Sequence, residues 1–340
     1  MSTPVAVRHV GLITSVGGSA ASACAAIRAR VTNPSETRFL NSAGEWHVAH
    51  QVTLAQPWVG QSRLAKMAAL AIEECLGNTP RHQWPSIPML LCTAERDRPG
   101  RHDGLDAALF SNLCEELGSE FADQSFSVPR GRVSVLVALN HARELLAKRL
   151  ATQVLIVATD SLLTWPTLSV YERDGRLLAS NNSNGFVPGE GAGALLIDSD
   201  NAEPLLLCTG VGVSHEARHI YSQQPLRAEG LTQAIQNAVR DASCDLQDVD
   251  FRITDLSGEQ YYFKEAALAL QRSLRTRRVE FDLWHPAECI GESGALAGLA
   301  CIALADAACR KGYAPGPNIL CHASNDFGER AAAVLQFRSA

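Results

Sequence analysis

One cysteine in the sequence has neighbours of the types that activate a thiol. Cys289 follows His285 by four residues and lies close to the predicted start of a helix, where the helix dipole favours a thiolate. However, Glu288 and Glu292 flank this cysteine, and their negative charges oppose ionisation of the thiol. The pattern is therefore more typical of a buried apolar cysteine than of a nucleophile.

Metal and phosphate chemistry have little support. His215 and His219 are four residues apart, a spacing that can hold a metal on one face of a helix, but we interpret them as an ordinary surface pair. The ten cysteines are scattered singly, without a CxxC pattern, so the sequence predicts no metal site and no cofactor. The glycine-rich stretch 189–193 follows a proline turn and leads into a predicted strand rather than a helix, which disfavours a P-loop.

Composition limits the class of protein. The 340 residues include 30 basic and 36 acidic ones, a formal charge of −6, which argues against a nucleic-acid-binding protein. Apolar residues make up 46% of the chain, enough for a large core. The longest uncharged apolar run, residues 293–305, is too short to span a bilayer, and the first residues do not resemble a secretory signal. We therefore expect a cytoplasmic protein without membrane or nucleic-acid partners.

Short β-rich runs alternate with helical stretches, which indicates an α/β protein whose sheets are covered on both faces. Two predicted helices, 133–146 and 294–308, are apolar almost all round and must therefore lie inside the protein. One falls in each half of the chain, so the sequence predicts a duplicated α-β-α-β-α architecture of five layers, with halves 1–200 and 201–340. The alternative is that they are two unrelated core helices. The other predicted strands are 4–13, 87–92, 154–158, 192–197, 205–213 and 251–255, and the other helices are 20–30 (capped by Ser19), 61–76, 103–117, 226–242 and 261–274.

Several motifs occur in an order that resembles the β-ketoacyl synthases of the thiolase-fold superfamily. The most specific is residues 184–197, NGFVPGEGAGALLI, which is close to that family's GFVxGEGAG segment. The stretches VGLITSVGG at 10–18, GESGALAG at 291–298 and SNDFG at 324–328 also match family landmarks in order. The resemblance implies a thiolase-like α/β fold and a homodimer formed through the strand at 125–128. It also implies pocket or loop positions at Gly189, Glu190, Gly191, Phe327 and Gly328.

The catalytic residues of that family are absent at the matching positions. The family uses a cysteine at the start of the first buried helix and two histidines in later loops, whereas this sequence has Arg132, Ser257 and Glu292 there. A lysine of the family is replaced by Ala287, and Ser134, near the nucleophile position, has no histidine partner in sight. If the register is right, Arg132 and Glu292 should form an ion pair that narrows or closes the acyl tunnel. If the register is off by a few residues, Arg132 points to solvent.

The sequence therefore favours a ketosynthase-like protein without the Cys-His-His triad that works as an accessory, adaptor or partner subunit. Residues 24–30 and 36–46 resemble short, catalytically degenerate ketosynthase-like proteins encoded with type VI secretion effector clusters. An effector, an adaptor or an acyl carrier protein is the partner that these resemblances imply. The alternative is an active acyltransferase, of the 3-oxoacyl-ACP synthase type, or a thioesterase that uses displaced residues.

Overall fold

The computed structural model describes residues 3–199, 205–276, 278 and 280–339. Within these residues the strands are β1 Val5–Ile13, β2 Ser35–Leu40, β3 Trp46–Ala49, β4 Met89–Thr93, β5 Phe126–Pro129, β6 Gln153–Ser161, β7 Glu190–Ser199, β8 Leu205–His215, β9 Phe251–Thr254, β10 Leu283–Trp284, β11 Asn318–Ser324 and β12 Glu329–Arg338. The α-helices are α1 Ala20–Arg28, α2 Gly60–Cys75, α3 Leu105–Leu117, α4 Ser134–Ala147, α5 Trp165–Arg173, α6 Glu229–Asp241, α7 Gln260–Ser273, α8 Ala287–Ile290 and α9 Ala297–Arg310.

The sheet has a repeated topology. In the described residues its order is β10-β9-β11-β12-β8-β1-β7-β6-β4-β5, and β1 and β8 pair antiparallel at its centre. Strand β4 is parallel to β5 and β6, while β7 is antiparallel to both β6 and β1. The second set repeats these directions, with β9 parallel to β10 and β11, and β12 antiparallel to β11 and β8. The architecture is therefore duplicated, as predicted. The proposed boundary between residues 200 and 201 lies outside the described residues, so the division at that point stays a prediction.

Helices α4 and α9 form the central layer, because each contacts strands from both sets of five. Their side chains are buried almost all round, including Leu136, Leu139, Leu299 and Ile302, and belong to one apolar cluster that also includes residues of both strand sets. Helices α2 and α3 cover the outer face of the first set, and α6 and α7 that of the second. The predicted α-β-α-β-α order of five layers is confirmed. It follows from the two all-round apolar helices, which are buried because they lie between the two five-stranded halves of the sheet.

Local signals explain where several elements begin. Ser19 caps α1 through a hydrogen bond from the Ser22 backbone N–H, as predicted. The helix predicted at 226–242 was placed too early, because Ala228 adopts a left-handed φ of 55° and α6 begins only at Glu229. The β2–β3 hairpin and helix α5 were not predicted. No helix in the described part of the chain is long and apolar enough to cross a membrane.

Candidate functional site: a buried ion network

The two central helices start beside each other, and each is preceded by a tight turn. The 3-10 turn Gly131–Val133 leads into α4, and the 3-10 turn Gly294–Leu296 leads into α9. The two turns are in contact. Arg132 lies in the first turn, and Glu292 lies two residues before the second. The fold therefore brings together two residues that are 160 positions apart in the sequence.

Arg132 is buried among acidic groups. Its Nη2 donates a hydrogen bond to Asp326 Oδ1 at 2.6 Å, and its Nη1 donates to Glu292 Oε2 at 3.3 Å. Its Nε lies 3.8 Å from Asp255 Oδ2, and the guanidinium carbon is 4.2 Å from the centre of the Tyr262 ring. The predicted ion pair between Arg132 and Glu292 is therefore present. The Arg132 side chain is only 5% exposed, so the alternative in which it points to solvent is wrong.

Ser257 completes this group. Its hydroxyl donates a hydrogen bond to Glu292 Oε2 at 2.8 Å, while the Gly294 backbone N–H donates to Glu292 Oε1 at 3.0 Å. Burial raises the pKa of Glu292 above its ordinary value, against the opposing effects of Arg132 and of the Ser257 hydrogen bond. The structure thus brings Arg132, Ser257 and Glu292 into one contacting group.

Asp326 is the centre of the network. Besides Arg132, it accepts hydrogen bonds from Arg176 Nη1 at 2.6 Å, from the Tyr262 hydroxyl at 2.5 Å and from the Tyr171 hydroxyl at 3.3 Å. Burial by itself would raise the pKa of Asp326, but Arg176 and Arg132 outweigh it and hold the pKa below its ordinary value. Asp326 is therefore an ionised carboxylate shared by two buried guanidinium groups, which also pair with Glu259 and Glu292.

Further charges surround this centre. Arg176 also makes two 2.8 Å hydrogen bonds to the two oxygens of Glu259. Arg98 Nη1 donates to Asp160 Oδ2 at 2.6 Å, and the Ala295 backbone N–H donates to the same oxygen at 2.9 Å. The start of the second central helix thus already holds a carboxylate at its positive end.

Two glycines allow this close packing. Gly131 has a φ of 55°, and an added Cβ would lie 1.9 Å from Glu95 Oε1. Gly294 has a φ of 56°, and an added Cβ would lie 2.1 Å from Asp160 Oδ2. A side chain at either position would both strain the backbone and displace a buried carboxylate.

Little open space remains inside the network. A cavity of about 20 Å³ is lined by Glu95, Arg98, Arg132, Leu162, Tyr171, Arg176, Phe186, Glu292, Gly294 and Asp326. This volume holds about one water molecule and no acyl chain. No cysteine or histidine occurs among the described residues that line it. Arg132 and Glu292 line the cavity, whereas Ser257 reaches the network through its hydrogen bond.

The other nucleophile candidates lie in inert surroundings. Cys289 is buried in α8, where burial and then Glu288 raise the pKa of its thiol. His285 contacts Glu288 at 3.3 Å rather than the cysteine. Ser134 is fully buried at the start of α4, where its hydroxyl donates to the Thr93 carbonyl oxygen. Among the described residues, no base is positioned to activate Cys289 or Ser134.

The histidine pair matches the HExxH pattern at residues 215–219, although we interpreted it as ordinary. The structure agrees with that interpretation, because His215 ends strand β8 and His219 lies in a turn, so no helix aligns the two rings. Glu216 is buried and accepts hydrogen bonds from the backbone N–H groups of Arg218 and Gly230. No group of three or more potential metal ligands occurs in the described residues.

The glycine-rich segment 189–193 packs against the loop that carries Glu292. The Gly189 backbone N–H donates to the Glu292 carbonyl oxygen at 2.8 Å, and an added Cβ on Gly189 would lie 2.3 Å from the Ile290 carbonyl oxygen. Residue Gly191 also has no room for a side chain, because an added Cβ would lie 2.6 Å from the Ile13 carbonyl oxygen. The segment therefore fixes the loop that carries Glu292.

The remaining pocket positions implied by the resemblance lie outside the small cavity. Glu190 is buried, pairs with Arg63 and lines a larger groove nearby. Phe327 and Gly328 form the turn between β11 and β12, and Phe327 packs against Tyr221. The cavity instead contains Asp326, the residue immediately before Phe327.

Sequence analysis missed most of the network. It did not single out Asp326, Asp255, Arg176 or Glu259. Two of these residues do carry a signal in the sequence. Asp255 directly follows an apolar strand, and Asp326 lies inside the matched loop at 324–328. Nothing local marks Arg176 or Glu259, whose ion-pair partners are 83 or more positions away.

The comparisons with known proteins concern the fold. No family model matches the chain, and no curated protein matches its sequence. Among solved structures, the ishigamide ketosynthase/chain length factor is 15% identical, with a TM-score of 0.83 and 100% of each chain covered. A type II PKS ketosynthase in complex with its acyl-carrier protein is 16% identical, with a TM-score of 0.83, and 99% of this chain and 100% of that one are covered. A beta-ketoacyl synthase from Burkholderia phymatum STM815 is 14% identical, with a TM-score of 0.78 and the same coverage. The chain therefore has the thiolase-like fold of the ketosynthases.

Removal of Asp326 should cost more stability than removal of Glu292. We expect Asp326→Ala to lower the free energy of unfolding by about 3–5 kcal/mol, because two buried guanidinium groups lose their shared carboxylate. Glu292→Ala should cost about 1–2 kcal/mol, because Arg132 keeps Asp326 as its partner. Urea unfolding measures both, with the exposed Glu120→Ala as a control that should change stability by about 0.5 kcal/mol or less. Equal, small losses in all three variants would contradict the central place of Asp326.

Asp255 should make stability depend on pH. Burial raises the pKa of Asp255 to about 7, although Arg132 lowers it, so the folded state holds this proton more tightly than the unfolded chain does. The stabilisation is complete below the ordinary pKa near 3.8 and is lost as the pH rises towards 7. Asp255→Asn should therefore gain stability relative to wild type across this window, by up to ~1.4 kcal/mol per pH unit. Urea unfolding between about pH 4 and pH 7 measures the difference, with Asp123→Asn at an exposed aspartate as the control, and a difference between Asp255→Asn and wild type that stays constant with pH would refute the prediction.

Proposed function

We propose that this protein is a non-catalytic ketosynthase-like protein that acts as an accessory, adaptor or partner subunit. The observation that carries the proposal is that Arg132 and Ser257 both donate hydrogen bonds to Glu292 inside a buried ion network. The resemblance assigns these three positions to the nucleophilic cysteine and the two histidines of a ketosynthase.

The chemical nature of Arg132 and Glu292 argues against a condensation reaction of the ketosynthase type. A guanidinium cannot take up an acyl group as a thiolate does, and a carboxylate at Glu292 would repel the negative charge of a developing enolate. The described cavity of about 20 Å³ leaves no room for an acyl chain. The guanidinium at the nucleophile position is already paired with Asp326, which also pairs with Arg176.

The relatives in fold suggest what such a protein does instead. One solved neighbour is a ketosynthase in complex with its chain length factor from Xenorhabdus doucetiae, and another pairs a ketosynthase with an acyl-carrier protein. We therefore infer that this chain acts by binding a partner protein. The resemblance of residues 24–30 and 36–46 favours an effector of a type VI secretion cluster, or its adaptor, as that partner.

A second candidate function rests on one contact. Ser257 is partly exposed and donates a hydrogen bond to Glu292 at 2.8 Å, an arrangement in which a carboxylate could deprotonate a serine nucleophile. This contact favours an acyltransferase or thioesterase. Against it, Arg132 donates a hydrogen bond to the same Glu292 oxygen and the Gly294 N–H donates to the other, so both oxygens of this carboxylate already have partners besides Ser257.

Incubation with an acyl thioester separates the two functions. With octanoyl-coenzyme A as the probe, we expect no acyl adduct by intact mass measurement and no thioester hydrolysis above the uncatalysed rate. Ser257→Ala and Ser134→Ala should behave as the wild type does. An adduct or a hydrolytic activity that is lost in Ser257→Ala would overturn the non-catalytic proposal and establish the second candidate.

We also propose that two copies associate through strand β5, as the resemblance implies. Strand β5 lies at one end of the described sheet order and pairs only with β4, so its outer edge is free for a second copy. Light scattering at micromolar concentration should give about twice the chain mass of 36.5 kDa. Phe126→Glu in β5 should shift the protein towards the monomer, whereas Phe263→Glu, at a similarly exposed phenylalanine on α7, should not. A monomer mass for the wild type would refute the dimer.

A further inference from the structure

A second, much larger cavity lies beside the β2–β3 hairpin. Its volume is about 560 Å³, within the range of ligand and peptide pockets, and it shares only Arg98 with the small cavity of the ion network. Its walls come from the hairpin, the start of α2, the loop before α3 and the turn into α5. We call this cavity the hairpin groove.

The walls of the hairpin groove are rich in aromatic side chains. Phe39, Trp58 and Trp165 line it, and the ring centres of Phe39 and Trp165 are 6.5 Å apart. Trp165 and Val59 are 52% and 53% exposed at its rim. Large apolar side chains left half exposed around a concave surface are typical of binding sites, and tryptophan is enriched among the residues that dominate binding energies.

The outer face of the hairpin adjoins the groove at Arg38 and also exposes apolar side chains. Leu40, Trp46 and Val48 are each more than 40% exposed, and the alternation of a β-strand places them on the face opposite the buried Thr37 and His47. Leu40 and Trp46 are directly opposite each other across the two strands. This outer face, which also carries Arg38 and, opposite Val48, Glu36, thus exposes three large apolar side chains that no other described element covers.

Glu172 of helix α5 holds the hairpin in place. Its Oε1 accepts a hydrogen bond from the Ser42 backbone N–H at 2.6 Å, and its Oε2 lies 3.3 Å from His47 Nε2. Because the hairpin and Trp165 are fixed to the same helix, the aromatic walls of the groove are preorganised for binding.

The hairpin groove is also positively charged, although the chain has a formal charge of −6. Four arginines line it, and Glu190 is the one carboxylate among the described lining residues. Three of these arginines already have carboxylate partners: Arg63 pairs with Glu190, Arg98 with Asp160 and Arg101 with Asp106.

Arg38 is the fourth arginine of the groove and provides an unpaired positive charge within the described residues. It is exposed, makes no ion pair within the described residues, and holds its guanidinium carbon 5.1 Å from the centre of the Phe39 ring. It belongs both to the outward face of β2 and to the lining of the groove, so it joins the two parts of the surface. The unpartnered Nε of the buried Arg98 is a second donor at the groove.

We propose that the hairpin groove and the outer hairpin face form a docking surface for an acidic peptide segment of a partner protein. One large apolar side chain of that segment lies between Phe39, Trp58 and Trp165, and its carboxylates face Arg38. A small organic acid would fill the groove but leave Leu40, Trp46 and Val48 uncovered, which is why a peptide fits the whole surface better. This inference rests on the proposed accessory role and specifies the chemistry of the partner.

Fluorescence anisotropy with a defined peptide tests the proposal. The probe is a fluorescein-labelled peptide in which aspartates and glutamates surround one tryptophan, and it should bind saturably and more weakly as salt is added. Trp165→Ala should weaken binding by about tenfold or more. Arg38→Glu should weaken it by about tenfold at low salt, because attraction becomes repulsion.

Matched variants and peptides control this experiment. Leu150→Ala and Arg275→Glu alter exposed side chains elsewhere and should leave the affinity within about twofold of wild type. A peptide with lysines in place of its acidic residues, or with serine in place of its tryptophan, should bind at least about tenfold more weakly. Hydrogen exchange should show protection of residues 35–49 by the probe.

Several outcomes would overturn the proposal. These are no saturable binding of the acidic peptide, equal binding by the Trp165→Ala and Arg38→Glu variants, or protection confined to other segments. Indole-3-acetate binding as tightly as the peptide would instead identify a small-molecule pocket. The octanoyl-coenzyme A assay on the same preparations reports on catalysis alone, so a failure of docking and a failure of the non-catalytic role are distinguishable.

Discussion

The shared carboxylate of Asp326 is the interaction on which the centre of the structure depends. Two guanidinium groups, from Arg132 and Arg176, would be costly to bury without it. Both arginines come from the first set of five strands and their connections, whereas Asp326 and Glu259 come from the second. The network therefore stabilises the contact between the two repeats at the point where α4 and α9 begin.

Carboxylates of the network lie at the starts of the two central helices, where the fold could otherwise stabilise a catalytic anion. In a ketosynthase-like fold the start of the central helix offers a positive helix end to a thiolate. Here Asp160 accepts the Ala295 N–H at the start of the second central helix, and Glu95 lies against Gly131 at the start of the first. Carboxylates already occupy the favourable electrostatic positions, and what remains is a space for about one water molecule.

The small internal cavity and the open surface groove fit the proposed accessory role better than a condensation reaction. The thiolase-like fold supplies rigid layers, and a fold by itself does not determine function. The charges of the network are buried and paired, while the hairpin groove keeps Trp165 and Arg38 available at the surface. The groove thus lies apart from Arg132, Ser257 and Glu292, and Arg98 lines both cavities.

The sequence by itself determined the layered fold, the two central helices and the ion pair between Arg132 and Glu292. It could do so because helices that are apolar all round must be buried, and because the matched motifs fixed the register at those two residues. Only the tertiary structure revealed Asp326 and Arg176 as partners, and only it placed the β2–β3 hairpin beside Trp165. Periodicity along the chain reports which face is buried, whereas charges such as Arg176 and Asp326, 150 positions apart, meet only once the order and direction of the strands are set.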